Sequence, residues 1–302
     1  MNAVTGAFSY TGSYIARRLL EDGERVKTLS REPDPAHPLS DRVTWEPLAF
    51  ERASLAGALQ GVTTLYNTYW IRFPRAGVTW ETVLENTRVL LRSAEDAGVE
   101  RIVHISVSNA AEESPLPYFR FKAMVERDVR CSGLSHAIVR PTLIFGREDI
   151  LLHNIAWALR RFPIFLVPGD AGYRVQPVAA EDVAALAIEL SRRGEEVTLD
   201  AAGPSVYSFE ELVRVMRAAI GARTRIARVP GALALSVARL VGRTRGDVMI
   251  TREELQGLAA DLLVSRQAPL GRTRLEDWLV EQGDALGAGY VSELRRNWRA
   301  AT

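Results

Sequence analysis

Asn2-Ala-Val-Thr-Gly-Ala-Phe-Ser-Tyr-Thr-Gly12 opens the chain, and this run decides the fold. Its first residues, 2–5, have the composition of a short β-strand. Apolar residues then recur at helical spacing over positions 15–20, and Asp22-Gly23 is typical of a helix end. The run therefore predicts a strand, a tight turn that contains Gly6 and Gly12, and a helix.

A turn of this kind is suited to binding phosphate. Small residues let the backbone approach a pyrophosphate, and the first N–H groups of the following helix supply hydrogen-bond donors. Ser9 stands where a glycine is commoner; a hydroxyl there can donate to a phosphate but also crowds it. The residues expected to contact a dinucleotide in this turn are Gly6, Phe8, Ser9, Tyr10, Thr11 and Gly12. The alternative is a tight strand–helix connection without a ligand.

Strands and helices alternate beyond this turn. Further strands are predicted at 25–30, 43–45, 62–67, 101–105 and 135–139, and the clearest helices at 83–97 and 118–131. This alternation predicts an α/β fold, a doubly wound parallel sheet with right-handed crossovers, over residues 1–142. After Arg140-Pro141 the rhythm breaks, which predicts a smaller mixed C-terminal lobe over 143–302. A segment near 175–202 is expected to return to the main sheet.

Arg31 bears on the choice of dinucleotide. An NAD site places an acid against the ribose 2′-hydroxyl about 20 residues after the glycine turn. The second strand here ends Leu29-Ser30-Arg31, with no acid before Glu32. A guanidinium can instead pair with a 2′-phosphate, which favours NADP over NAD. The alternative is a solvated arginine in a chain whose basic residues are nearly all arginine.

Tyr118 and Lys122 are four residues apart and share one face of a predicted helix. A tyrosine with a pKa near 10 is a poor base at neutral pH, and a neighbouring cation lowers that pKa. The chain contains only two lysines, Lys27 and Lys122. Ser106 and Ser108 follow the preceding buried strand, so one of them can hold a substrate oxygen while Tyr118 exchanges the proton. The alternative is an incidental pair on an exposed helix.

Together these features resemble the short-chain dehydrogenase/reductase superfamily, in its extended and atypical branches. The resemblance covers about residues 2–190 and rests on the glycine turn, Asn86, the Tyr-x-x-x-Lys pair and the segment from Arg140 to Ala184. That last segment is most similar to the atypical group that contains NmrA-like proteins and proteins similar to the complex I accessory subunit.

The resemblance implies a Rossmann domain that binds NAD(P) and a C-terminal substrate-binding lobe. It implies that Tyr118 is the acid/base, that Lys122 holds the nicotinamide ribose and that Ser108, or Ser106, orients the substrate. Pro141 would lie beside the nicotinamide, and Asn67 and Thr68 join the expected cofactor contacts.

The sequence departs from the family pattern in three places. Ser9 replaces the middle glycine, and Pro47-Leu-Ala-Phe50 follows the third strand where Asp-Leu is usual. Tyr118 follows Ser108 by ten positions, a shorter spacing than in sugar-modifying members. Epimerase activity is therefore not expected. The sequence predicts an NADP-dependent oxidoreductase acting on a small, rather apolar carbonyl, hydroxyl or enone substrate; the alternative is a non-catalytic NADP(H)-binding sensor, scaffold or assembly protein.

Composition limits the possible partners. The net charge of +1, from 38 basic and 37 acidic residues, does not favour nucleic-acid binding, and the four histidines lack metal-ligand spacing. A single cysteine, Cys131, and the absence of an apparent secretory signal suit the cytoplasm. The apolar stretch 232–245 carries arginines, so membrane contact is an alternative to a docking helix of the C-terminal lobe. The oligomeric state is not predicted.

Overall fold

The computed structural model describes residues 1–31, 35–169 and 172–298. The chain falls into two units. Unit 1 comprises residues 1–141, 180–201 and 267–270, and unit 2 comprises 142–179, 202–266 and the residues from 271 onward.

Unit 1 is built on a parallel sheet with helices on both faces. Its strands are β1 (Asn2–Thr5), β2 (Val26–Ser30), β3 (Thr44–Pro47), β4 (Thr64–Asn67), β5 (Arg101–Ile105), β6 (Ser135–Pro141) and β11 (Val197–Ala201). Its helices are α1 (Tyr10–Glu21), α2 (Arg52–Ala58), α3 (Trp80–Asp96), α4 (Pro117–Arg130) and α6 (Ala180–Arg192).

The strand order is β3-β2-β1-β4-β5-β6-β11, and every neighbouring pair is parallel. The predicted doubly wound parallel α/β sheet is confirmed. The order reverses direction between β1 and β4, and in such sheets ligands bind outside the carboxyl ends of the strands at that point. The glycine turn follows β1 and Thr68 follows β4, so both lie at this switch point.

Apolar side chains fix the helices to the sheet. Leu65 of β4 and Ile102 of β5 are fully buried in a cluster with Leu90 of α3 and Val125 of α4. On the other face α1 packs against α6. Arg101 ties α6 to the sheet, because its guanidinium donates to the carbonyl oxygen of Leu190 at 2.9 Å.

Unit 2 is smaller and mixed. Its strands are β7 (Leu143–Phe145), β8 (Ile164–Pro168), β9 (Arg174–Val175), β10 (Pro177–Ala179), β12 (Tyr207–Ser208) and β13 (Arg225–Val229). Its helices are α5 (Leu151–Arg161), α7 (Phe209–Ala219), α8 (Gly231–Arg245), α9 (Arg252–Ala259), α10 (Leu275–Gln282) and α11 (Glu293–Asn297). The strands form three two-stranded pairs, β7 with β10, β8 with β13 and β9 with β12. Phe145, Leu152 and Leu212 are among the residues of its own buried core.

Several predicted bounds differ from the structure by a few residues. The third strand, for example, covers residues 44–47 instead of 43–45. The segment that returns to unit 1, expected near 175–202, covers residues 180–201. Residues 267–270 also belong to unit 1, and the Gln267 side-chain oxygen accepts from the backbone N–H of Asp200 at 3.0 Å.

Candidate functional site

The turn after β1 is shaped by Gly6. Gly6 has φ +75°, in the left-handed region that favours glycine, and its N–H donates to the carbonyl oxygen of Leu29 at 2.8 Å. The Gly6 carbonyl accepts from both the backbone N–H of Ser9, at 2.8 Å, and its hydroxyl, at 2.6 Å. The Ser9 hydroxyl is thus turned back into the loop and neither caps α1 nor points toward an anion.

Gly12 allows α1 to approach this turn closely. A Cβ atom on Gly12 would lie 2.1 Å from the carbonyl oxygen of Gly6. The first bond along α1 runs from Ser13 N–H to the Ser9 carbonyl, so the amides of Thr11 and Gly12 have no acceptor within the helix. A cradle of two glycines before an uncapped helix start fits the pyrophosphate of a dinucleotide.

A buried polar row crosses the sheet behind this cradle. Thr5 donates from its hydroxyl to the Asn67 side-chain oxygen at 3.2 Å, and the Asn67 amide nitrogen lies 3.2 Å from Nδ1 of His104. Burial, with the nearby Lys122 charge, lowers the pKa of His104 well below its usual value. Neutral His104 accepts from Asn67, so the Asn67 side chain links β1, β4 and β5. Thr68 lies beside Gly6, and its hydroxyl donates to the Thr5 carbonyl at 2.5 Å.

Arg31 lies at the carboxyl end of β2 and is exposed. Its backbone is held in place, because the Trp45 indole N–H and the Ser30 hydroxyl both donate to the Arg31 carbonyl, at 3.2 and 2.8 Å. Phe8 of the glycine turn packs edge-on against His37, with ring centroids 5.1 Å apart. Glu32, the first acid after β2, lies outside the described residues.

Tyr118 and Lys122 occupy the first two turns of α4. Pro117 is well suited to the first position of a helix, so this helix begins immediately before Tyr118. Tyr118 is half-buried, whereas Lys122 is only 3% exposed and its ammonium donates to the Ile105 carbonyl at 2.8 Å. Burial lowers the pKa of Lys122 to about 7, and the Glu126 carboxylate offsets part of this effect.

Trp70 lies between these two side chains. The Lys122 ammonium is 4.3 Å from the centroid of the Trp70 ring, and the Tyr118 ring meets Trp70 edge-on at 5.8 Å. Trp80 packs against both aromatic rings, at 5.5 Å from Trp70 and 5.8 Å from Tyr118. No sequence motif marks Trp70, because its role arises only when the loop after β4 meets α4.

Glu126 binds Ser106, one of the two candidate serines. Its carboxylate is fully buried and accepts from the Ser106 hydroxyl at 2.5 Å and from Arg140 at 2.8 and 2.5 Å. Arg130 donates to the same carboxylate at 2.8 Å. Ser106 is therefore part of a structural ion-pair network. Sequence reasoning missed this network, although Lys122, Glu126 and Arg130 follow one another at four-residue spacing.

Ser108 is the second candidate serine at this edge. It is fully buried and follows β5, and its backbone N–H donates to the Pro141 carbonyl at 2.9 Å. This bond places Ser108 next to Pro141 at the carboxyl edge of β5 and β6. The two elements that follow β5, the Ser108 loop and α4, thus bring the predicted serine, tyrosine and lysine to one edge of the sheet.

A family match covers the part of the chain that contains these candidate site residues. Residues 6–151, which include the glycine turn, Tyr118 and Lys122, match a family model described as NAD(P)H-binding. The N-terminal half of the chain belongs to this Rossmann-type NAD(P)H-binding family. Membership confirms the NAD(P)-binding part of the resemblance inferred from the motifs.

Similar proteins include enzymes and a subunit of a larger assembly. The chain is 28% identical to mouse NADH dehydrogenase [ubiquinone] 1 alpha subcomplex subunit 9, mitochondrial, over 80% of this chain. It is also 28% identical to ceramide reductase of Caulobacter vibrioides, over 79% of this chain and 76% of the reductase. The NADPH-dependent quinone oxidoreductase of Escherichia coli, solved with NADPH, has a TM-score of 0.75 at 20% identity, covering 93% of this chain and 99% of that one.

These similarities cover only part of some relatives. The chain spans 59% to 66% of the length of the NADH dehydrogenase subunit from mouse, rat and Arabidopsis thaliana. The likeness to the quinone oxidoreductase concerns the fold. In the described ranges, every helix is too short or too polar to cross a bilayer, and no cluster of His, Cys, Asp and Glu side chains could hold a metal ion.

Proposed function

We propose that the protein is an NADP(H)-preferring oxidoreductase that acts on a small, rather apolar carbonyl, hydroxyl or enone compound. The observation that carries the proposal is the Tyr118–Lys122 pair. A half-buried phenol and a buried ammonium share one face of α4, at the same sheet edge as the glycine cradle. The proposed location is the cytoplasm.

Each residue of this edge has a distinct task in the proposed reaction. NADPH, when bound, would supply the hydride for reduction of the substrate. Tyr118 donates the proton to the substrate oxygen, and the Ser108 hydroxyl orients that oxygen. Lys122, held by the Ile105 carbonyl at 2.8 Å, would hold the nicotinamide ribose. Gly6, Thr11 and Gly12 receive the pyrophosphate.

Aromatic side chains around Tyr118 support an apolar substrate. Trp70 and Trp80 pack against the Tyr118 ring, and Phe50 packs against Tyr69 with ring centroids 4.6 Å apart. Tyr69 is in turn held by Asn86, whose amide donates to its hydroxyl at 2.9 Å. These rings supply contact area with few polar groups, which favours a flat or hydrocarbon-rich molecule over a sugar.

A fluorescence titration with NADPH and NADH tests the cofactor assignment. We expect Arg31→Gln to weaken NADPH binding by roughly ten- to hundredfold, because it removes a charge-assisted contact to the 2′-phosphate. NADH binding should not change. Arg25→Gln is the matched control, since Arg25 is exposed at the opposite end of the same strand. Tighter binding of NADH than NADPH by the wild type would refute the preference, and failure of both to bind would refute the proposed function.

The buried ammonium of Lys122 is expected to lower the free energy of unfolding. In the folded protein the pKa of Lys122 is about 7, whereas in the unfolded chain it has its ordinary value of 10.5. Folding therefore disfavours the charged form of this side chain. Lys122→Met should therefore stabilise the protein at pH 6–7 by a few kcal/mol, since one pKa unit corresponds to about 1.4 kcal/mol. The gain should shrink as the pH rises from about 7 towards 10.

Urea unfolding of wild type and variant at several pH values measures this difference. Lys27→Met is the control, because it removes the other lysine together with a 2.6 Å bond to the Ala58 carbonyl. It should lower stability. A Lys122→Met variant that is less stable than wild type at pH 6 would show that the buried ammonium stabilises the fold.

The contact between Lys122 and Trp70 favours a second candidate, a non-catalytic NADP(H)-binding protein. The indole ring lies against the ammonium that a catalytic lysine must present to the cofactor ribose. The similarity to the NADH dehydrogenase subunit points the same way. This candidate predicts that NADPH binds but is not consumed with any compound of a carbonyl, enone and quinone panel. A single clear turnover would exclude it.

A further inference from the structure

Helix α8 carries an apolar stripe on its exposed side. Leu233, Val237 and Leu240 are 49%, 38% and 63% exposed, and their spacing of four and three residues places them on one face. The opposite face, with Ala234, Leu235 and Gly242, is buried. Exposed large apolar side chains aligned along one helix mark an interaction surface.

The charges on α8 are all of one sign. The helix contains Arg239, Arg243 and Arg245 and no acidic residue, and all three arginines are exposed. By helical spacing Arg243 lies beside Leu240 at the edge of the apolar stripe, whereas Arg239 is turned about 100° away from Leu240. An apolar face with arginines along its margin is complementary to a surface that is apolar inside and anionic outside.

An aromatic and cationic cluster adjoins the end of α8. The Arg245 guanidinium lies over Trp157 at 4.8 Å and Tyr290 at 5.8 Å, and these two rings are 5.1 Å apart. Phe162 continues the row at 5.4 Å from Trp157 and is itself 38% exposed. Arg245 and Tyr290 also line a shallow pocket with Ser292, Arg295 and Arg296. Trp157 itself is buried, so the exposed part of this cluster is the Phe162 ring and Arg245. Aromatic rings and arginines are the side chains favoured where hydrocarbon meets lipid headgroups.

We propose that this surface, defined by Leu233, Val237 and Leu240 with Arg239, Arg243 and Arg245, binds an anionic phospholipid membrane. The leucines and valine enter the boundary of the acyl chains, and the arginines contact the headgroup phosphates. A second copy of the chain fits less well, because a two-fold interface pairs the same patch from both copies and brings arginines against arginines. The proposal goes beyond the oxidoreductase activity and does not depend on it.

Co-sedimentation with vesicles tests the proposal on the full chain. We expect binding to vesicles of phosphatidylcholine mixed with phosphatidylglycerol, and little binding to phosphatidylcholine alone. Leu240→Glu should weaken binding at least tenfold, since it removes an apolar side chain that would enter the membrane and adds a repelled charge. Val280→Glu is the matched control: Val280 is 84% exposed in α10, and its substitution should leave binding unchanged.

The arginines are tested separately. Arg239→Gln combined with Arg243→Gln should weaken binding by roughly ten- to thirtyfold, because each basic residue near an anionic surface contributes about fivefold. Arg25→Gln with Arg92→Gln, two exposed arginines of unit 1, makes the same change in net charge and should have little effect. Equal losses in the two double variants would overturn the proposal, as would no binding by the wild type or full binding by Leu240→Glu. A concentration-dependent dimer in light scattering that Leu240→Glu abolishes would assign the surface to a second copy and overturn the proposal.

Discussion

Tyr118→Phe is expected to abolish turnover while leaving NADPH binding nearly intact. The substitution removes the hydroxyl that donates the proton and keeps the ring, so the edge contacts with Trp70 and Trp80 at 5.8 Å remain. Loss of a general acid costs roughly 10²- to 10⁴-fold in rate. Steady-state rates of NADPH consumption, with the substrate found in the panel, measure the effect on kcat/KM, and the fluorescence titration measures binding.

Tyr69→Phe is the matched control for this variant. Tyr69 is also half-buried, its hydroxyl accepts from Asn86 at 2.9 Å, and its ring belongs to the same aromatic surroundings. We expect a change in rate of less than about tenfold, because the Tyr69 hydroxyl is held by Asn86 and has no assigned role in proton transfer. Full activity of Tyr118→Phe, or equal losses in the two variants, would remove Tyr118 from its role as acid.

Gly12→Ala is expected to destabilise unit 1 and to abolish cofactor binding. The new Cβ would lie 2.1 Å from the Gly6 oxygen and 2.8 Å from the Gly6 carbonyl carbon, distances at which backbone atoms must move. Relief requires the turn to open, which breaks the two bonds from Ser9 to the Gly6 carbonyl. We expect a loss of about 3 kcal/mol or more in the free energy of unfolding, as for other overpacked or strained sites.

Gly57→Ala provides the comparison, because Gly57 lies in α2 and a Cβ there would meet nothing within 4 Å. Alanine should stabilise that helix by about 0.5–1 kcal/mol. Urea unfolding gives both free energies, and the NADPH titration at low temperature shows whether the folded fraction of Gly12→Ala still binds. A variant that unfolds and binds like wild type would mean that the turn tolerates a side chain and that the cradle is not needed.

Much of unit 1 follows from local patterns. The glycine spacing and the apolar pattern predict β1 and α1. The alternation of strands with helices predicts that the strands are parallel, because a helix between two strands connects them by a right-handed crossover. The Tyr118–Lys122 spacing likewise places both side chains on one helix face whatever the rest of the chain does. Fold and family match confirm these parts, whereas the roles of Tyr118, Lys122, Ser108 and Arg31 stay predictions.

Other features depend on contacts between distant segments. The sequence presents Ser106 and Ser108 alike, and the structure adds that the Ser106 hydroxyl donates to the buried Glu126 of α4, 20 residues later. The Ser9 hydroxyl appears in sequence as a phosphate donor, but it donates to the Gly6 carbonyl because the turn brings that oxygen within 2.6 Å. Asn67 was expected at the cofactor, yet its side chain is used within the sheet by Thr5 and His104.

Local sequence patterns predict the strand–turn–helix at the N-terminus, the parallel sheet and the shared helix face of Tyr118 and Lys122, because backbone freedom at glycine and side-chain periodicity act over a few residues. The contact of Trp70 with Lys122, the bond from Ser106 to Glu126 and the place of residues 267–270 in unit 1 follow from the folded chain. These contacts join segments that no local period links, so they form only when the whole chain buries its apolar surface.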